Sequence, residues 1–208
     1  MKKLLIIGYV WPEPNSSAAG SRMMQLIHFF QAQSYHITFA SPAQQTEHMV
    51  DLIALDIVVE NIQLNCTSFD DFIKNLQPST VMFDRFMMEE QFGWRVSEQC
   101  PQALRILDTE DLFCLRNARH QAYKQKRDIT DEDLLTSDMA KREVASIFRS
   151  DISLMISSIE VDLLQRLFNV DPSLIHYCPF MLSQDQLTQE NPSYQGCARA
   201  HRARSQGS

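Results

Sequence analysis

The chain has 208 residues, of which 44% are hydrophobic and 22% charged, with a formal net charge of -7. That size suits one α/β domain with a sizeable core, and the balance excludes a disordered chain, a disulfide-stapled miniature fold and a general nucleic-acid surface, which needs clustered Lys and Arg. No apolar run approaches the ~20 residues needed to cross a bilayer.

In chain order, "KLLIIGY", "HITFAS", "VVENIQL", "STVMFDR", "ALRILDT", "DISLMIS" and "SLIHYCP" are short β-prone runs, several of them apolar throughout. Such runs suit strands buried on both faces of a parallel sheet. The opening "MKKLLIIGYVW" has no small-residue cleavage site and reads as the first strand. Helical patterns alternate with the strands. Met23, Leu26, Ile27 and Phe30 fall at i, i+3, i+4 and i+7, on one helix face. Further helices are expected over Glu47 to Leu55, Phe69 to Leu76 and Met88 to Gln99, then within Leu112 to Arg127 and Glu132 to Arg149. Ser157 and Glu160 have capping-box spacing ahead of "VDLLQRLF". This alternation predicts an α/β fold: a single doubly wound, Rossmann-like, mostly parallel sheet of about seven strands with helices on both faces.

After Leu182 the pattern gives way to "SQDQLTQENPSYQ" and then "GCARAHRARSQGS", where Arg199, Arg202 and Arg204 stand with no acid. Three of the 19 basic residues lie there, so 16 face the 26 acidic residues of the remainder. The expected division is a domain over residues 1–182 and a poorly ordered linker and basic tail over 183–208. Cys66, Cys100, Cys114, Cys178 and Cys197 are odd in number and form no C-x-x-C pair, which predicts reduced cytosolic core thiols rather than a disulfide framework or metal cage.

Ligands of open parallel sheets bind beyond the carboxyl ends of the strands, near the point where strand order reverses. That rule selects four loops. The first runs from Tyr9 to Arg22: Pro12 and Pro14 stiffen it, and Asn15, Ser16, Ser17, Ala18, Ala19 and Gly20 keep it small. Gly20 and Ser21 are expected where a helix N-terminus offers free N–H groups to a phosphate, carboxylate or hydroxyl, or else form a plain turn and N-cap. After the fourth strand, Asp84 and Arg85 could orient sugar hydroxyls or neutralise one another. After the fifth, Asp108, Glu110 and Asp111 crowd three carboxylates, with Arg116 and Arg119 as candidate partners and Asp111 as a candidate helix cap. The fourth loop, Ser157 to Glu160, holds the capping pair.

Several chemistries lack their residues. There is no G-x-G-x-x-G, no P-loop, no G-x-S-x-G elbow and no H-x-x-x-H or H-E-x-x-H pair, so no cofactor or metal is expected. "KQKRDITDED", residues 124–133, reads as a solvated turn between helices.

Taken together, "KKLLIIGYVWPEPNSSAAGSRMMQLIHFF", "RILDTEDLFCLRNARHQA" and "DISLMISSIEVDLLQRLF" resemble the N-terminal half of glycosyltransferases of the GT-B fold, in the family-4-like group. The resemblance covers about residues 1–182. It implies an acceptor-binding Rossmann-like domain that faces a second such domain holding a nucleotide-sugar donor. Carried over by position, Ala19, Gly20, Ser21 and Arg22 would face the acceptor or the donor phosphate. Asp84 and Arg85 would contact the acceptor or the chemistry, while Asp108, Glu110 and Asp111 match an acidic turn. Phe113 stands where relatives place a His, which counts against a general base there. Relatives carry a Glu-x7-Glu motif in the second domain; Glu90 and Glu98 have that spacing in the first, and the match is taken as chance.

The expected function is therefore the acceptor half of a glycosyltransferase acting on a saccharide or lipid-linked acceptor. It would engage nucleotide sugar only with a second domain and be inactive alone, in a cytoplasmic setting that allows peripheral contact at the inner membrane face. The chain is expected to be cut short of the donor domain. A non-catalytic saccharide- or partner-binding module is the alternative, and a flavodoxin-like response regulator ranks third.

Overall fold

The computed structural model describes residues 2–181, so the expected linker and tail at 183–208, together with Cys197, lie outside the described residues. Seven parallel strands form one sheet in the order β3-β2-β1-β4-β5-β6-β7. They are β1 (Lys2–Ile7), β2 (Tyr35–Ser41), β3 (Val58–Asn61), β4 (Thr80–Asp84), β5 (Leu104–Glu110), β6 (Ile152–Met155) and β7 (Ile175–Tyr177). Each falls within or overlaps its predicted run. Strand order reverses between β1 and β4, where Leu4 to Ile7 pair with Thr80 to Phe83.

The helices are α1 (Ala18–Ala32), α2 (Ser68–Leu76), α3 (Phe86–Gln99), α4 (Phe113–Lys124), α5 (Asp131–Leu135), α6 (Asp138–Arg149) and α7 (Ser158–Phe168). Strand alternation divides the core in two. Leu4, Ile6, Phe39, Met82, Ile106 and Leu154 point to the face covered by α1, whose Met23, Leu26, Ile27 and Phe30 are all buried. Leu5, Ile7, Val81, Phe83, Leu107 and Met155 point to the other face, where α2, α3, α4, α6 and α7 contribute side chains. Both faces of the central strands are dry, which is why their sequences show no polar alternation.

Two helices differ from expectation. Over Glu47 to Leu55 only a single 3-10 turn forms, at Ile53–Leu55. Leu52 alone is fully buried there, and the segment is pinned by Val50 N–H donating to Pro12 O at 3.0 Å. The helix expected over Glu132 to Arg149 is two: α5 opens with a Thr130/Asp133 capping box, and Ser137 caps α6 by accepting the Ala140 N–H. Cys66, Cys100, Cys114 and Cys178 are free thiols, but only Cys100 and Cys114 are buried in the core; Cys66 and Cys178 are half-buried, so the expectation of core thiols holds for two of the four. Among the described residues no helix is long and apolar enough to cross a membrane.

Candidate functional site: a cleft at the carboxyl edge of the sheet

The long first connection, Gly8 to Ser17, is an ordered plug. Trp11 is buried against Phe39, and its indole N–H donates to Ala43 O at 2.9 Å. The carbonyl of Glu13 accepts from the amides of Ser16 and Ser17, turning the chain toward α1. The helix opens at Ala18, not after Gly20, because Ser17 is its N-cap and takes the Gly20 N–H at 3.0 Å. Ser21 N–H bonds Ser17 O, and its hydroxyl donates to Pro14 O at 2.9 Å. A Cβ on Gly20 would overlap the Glu13 backbone, so this glycine is explained by close packing of the loop on α1. The predicted N–H offer at Gly20 and Ser21 is thus met internally. Ala18 and Ala19, one step earlier, line the cleft.

The ends of β4 and β5 bring the charged residues together. Arg22, only 1% exposed, donates from Nε and Nη2 to Asp108 Oδ1 at 3.0 and 2.7 Å, and from Nη1 to the Cys178 carbonyl at 2.8 Å. It therefore ties α1 to β5 and to the chain beyond β7. Burial pushes the Asp108 carboxyl up, while the guanidinium of Arg22 pulls it part of the way back. Arg85 donates from Nε and Nη2 to Glu110 Oε2 at 3.3 and 3.0 Å, and lies over the Tyr9 ring at 5.1 Å. Both partners have unusual backbones. Arg85 sits at φ 73°, ψ 157°, a region most side chains avoid, and Glu110 at φ 59° follows a bulge in β5. Strain of ~1–3 kcal/mol per residue and bulges at strand ends both concentrate at functional sites.

Asp84 is buried beside them. Its Oδ2 accepts the Tyr9 N–H at 2.9 Å, whereas Oδ1 has no hydrogen-bond partner, with Arg85 Nε 3.5 Å away. Desolvation pushes its carboxyl up to about 7, against the pull of Arg85. Burial also raises Glu110.

Asp111 is not the cap of α4. It pairs with Arg116 at 3.4 Å, and the Arg116 guanidinium stacks 4.0 Å from the Phe113 ring centroid. The cap comes from α6, where buried Glu143 accepts the amides of Phe113 and Cys114 at 2.9 Å each. Burial raises Glu143, and burial with Glu143 alongside raises the Cys114 thiol. Of the predicted capping box, Ser157 does accept the Glu160 N–H, at 3.4 Å, but the Glu160 carboxyl turns inward beside the Leu112 amide and leaves Oε2 unpartnered. Glu90, of the Glu-x7-Glu spacing, lies on α3 paired with Arg142.

These parts enclose a cleft of about 360 Å³ between the α1 N-terminus, the ends of β4 and β5 and the start of α4, with Phe180 closing one side. A narrow crevice shares Ala19, Arg85 and Glu110 with it and is further lined by Gly20 and Asp84. The structure thus brings Ala19, Gly20, Arg22, Asp84, Arg85, Glu110 and Asp111 to one rim. Asp108 lies beneath it under Arg22, and Ser21 points to the loop. Three guanidiniums meet four carboxylates, so the cleft has no surplus positive charge for a phosphate. It has instead paired donors and acceptors beside aromatic rings, a surface suited to polyhydroxyl compounds. Among the described residues no cluster of His, Cys, Asp or Glu could hold a metal ion. Phe180 and Glu143 were not foreseen as parts of the site, and Phe113 was noted only as the residue standing in place of a His.

No protein-family model matches the chain, and no curated protein matches it in sequence. Solved structures do match. The apo form of the lipopolysaccharide outer core galactosyltransferase WaaB superposes with TM-score 0.55 at 14% identity, over 88% of this chain and 46% of that one. Sucrose-phosphate synthase from Thermosynechococcus elongatus gives 0.58 at 12%, over 88% and 49%. A putative UDP-N-acetylglucosamine 2-epimerase from Listeria monocytogenes gives 0.51 at 13%, over 84% and 44%. The chain spans about half the length of each. At these identities the likeness is one of fold alone: a Rossmann-type α/β architecture.

Proposed function

We propose that the chain is the acceptor-side half of a GT-B glycosyltransferase, of the family-4-like group, and that its cleft holds a saccharide or the sugar of a lipid-linked acceptor. The observation that carries this reading is the Arg85–Glu110 pair: two residues held at positive φ at the adjacent ends of β4 and β5, facing each other across the rim next to the β1/β4 reversal of strand order. The fold likeness, which takes up most of this chain and about half of each larger structure, supports it.

In this reading the glutamate and arginine bind neighbouring hydroxyls, and Phe113 and Phe180 contact the apolar face of the ring. The unpartnered Asp84 Oδ1 accepts a hydrogen bond from a hydroxyl that enters the crevice. Ala18 and Ala19 offer the free amides of α1 to the second half's ligand. The nucleotide sugar and the compensation of its leaving phosphate belong to a second Rossmann-like unit, because this cleft's cations are already paired.

A glycan array tests the proposal. The full chain should retain a discrete set of glycans, and Glu110→Gln should retain the same set at least tenfold more weakly. Retention of none, or equal retention by the variant, overturns it. In a parallel assay the chain alone should neither hydrolyse nor transfer from UDP-sugars; robust turnover would remove the need for a second unit.

A further inference from the structure

A helix start leaves amides without partners, and these are ordinarily met by a Ser, Thr, Asp or Asn at the cap. At the start of α4 the sequence supplies Leu112, whose side chain cannot accept, and Asp111 is turned to Arg116. The requirement is met from α6. Glu143 lies 1% exposed, and each of its carboxylate oxygens takes one amide, Phe113 to Oε1 and Cys114 to Oε2, both at 2.9 Å. A charge at the positive end of a helix, in a site closed to water, makes two charge-assisted bonds. The other groups around it are Asp111, Cys114 and, from α7, Glu160.

The residues fixed by this cap form one wall of the cleft. Phe113 is the first residue of α4 and carries one of the two amides held by Glu143. Arg116 stands at the next turn, stacked on the Phe113 ring, and Phe113 meets Phe86 edge-on at 6.1 Å. We propose that Glu143 is a positioning residue of the cleft: a carboxylate that touches nothing the cleft holds decides where the Phe113–Arg116 wall stands. Its bearing on ligand binding rests on the saccharide reading above; its action on the wall does not.

Two variants separate positioning from plain stability. Glu143→Leu keeps bulk and removes both acceptors, whereas Glu143→Gln restores one. Amide hydrogen exchange in the full chain should show Phe113 and Cys114 exchanging at least tenfold faster in Glu143→Leu. In Glu143→Gln at least one of the two should be largely recovered, and the interior amides of α6 should be unchanged in both. The nuclear Overhauser contact between the Phe113 and Phe86 rings should weaken in the same order. Unchanged exchange at Phe113 and Cys114, uniform loss of protection across α4 and α6, or an unaltered ring contact overturns the proposal. Glycan retention should fall in Glu143→Leu and partly return in Glu143→Gln. If the parent chain retains no glycan, the saccharide reading fails while the exchange and ring-contact results still decide the role of Glu143.

Discussion

Asp84 is a carboxyl held where water cannot solvate its charge. Its folded-state value of about 7 lies above the ordinary 3.8, so the folded chain binds the proton more tightly than the unfolded chain does. The associated stability is fully present below pH about 4 and is lost as pH rises through 7. Asp84→Asn removes the titration. In urea denaturation the variant should be more stable than the parent at pH 8 by roughly 2–4 kcal/mol, with the gap closing near pH 4; a pH-independent gap would contradict the assignment. Gly20 has a different constraint. Gly20→Ala places a methyl into the Glu13 backbone and should cost about 1–3 kcal/mol in thermal or urea unfolding, although alanine is the better helix former. A neutral result would show that the loop yields freely. The types of residue at this rim were legible in the sequence, because acids and an arginine directly after apolar runs must emerge at strand ends. Their partners were not. Arg22 and Asp108 are 86 positions apart, and nothing in the local pattern of either says that they meet.

Between elements, the Arg22–Asp108 pair fastens α1 to the centre of the sheet. Breaking one side leaves a buried charge alone, so Arg22→Ala should destabilise by about 3–5 kcal/mol. Arg22→Lys should recover little, since an ammonium cannot reproduce the contacts to both Asp108 and the Cys178 carbonyl. The double variant Arg22→Met/Asp108→Leu should restore most of the loss, measured by denaturant midpoint; a double as unstable as the single would show that the charges themselves are required. The central strands were readable because a two-sided core leaves continuous apolar runs, whereas the edge strands β3 and β7 are largely exposed and were legible only as short β-prone runs. The helix boundaries were less so. Ser137, an N-cap inside an apparently continuous helical pattern, was an available signal for the break between α5 and α6. The Glu47 to Leu55 segment looked helical, yet it follows the loop it packs against, a tertiary constraint that propensity does not contain. The cap of α4 was hidden for the same reason: its acceptor lies on α6.

At the scale of the whole molecule, the cleft has one wall of matched charges and aromatic rings. The proposed activity therefore depends on a second unit, so supplying a donor-side Rossmann-like partner should raise transfer from an undetectable level to a measurable one in a UDP-sugar assay. Failure with every partner tested, alongside sound glycan retention, would favour a binding module without chemistry. The strand order has a further consequence, for how the protein is made. Leu4 lies opposite Thr80, so β1 meets its central neighbour only after some 76 further residues have been synthesised. Until then the run Leu4–Ile7 has β2 on one side and nothing on the other, and its apolar edge is open to chaperones or to another nascent copy. A chain that ends short of β4 therefore leaves one edge of β1 without its partner strand.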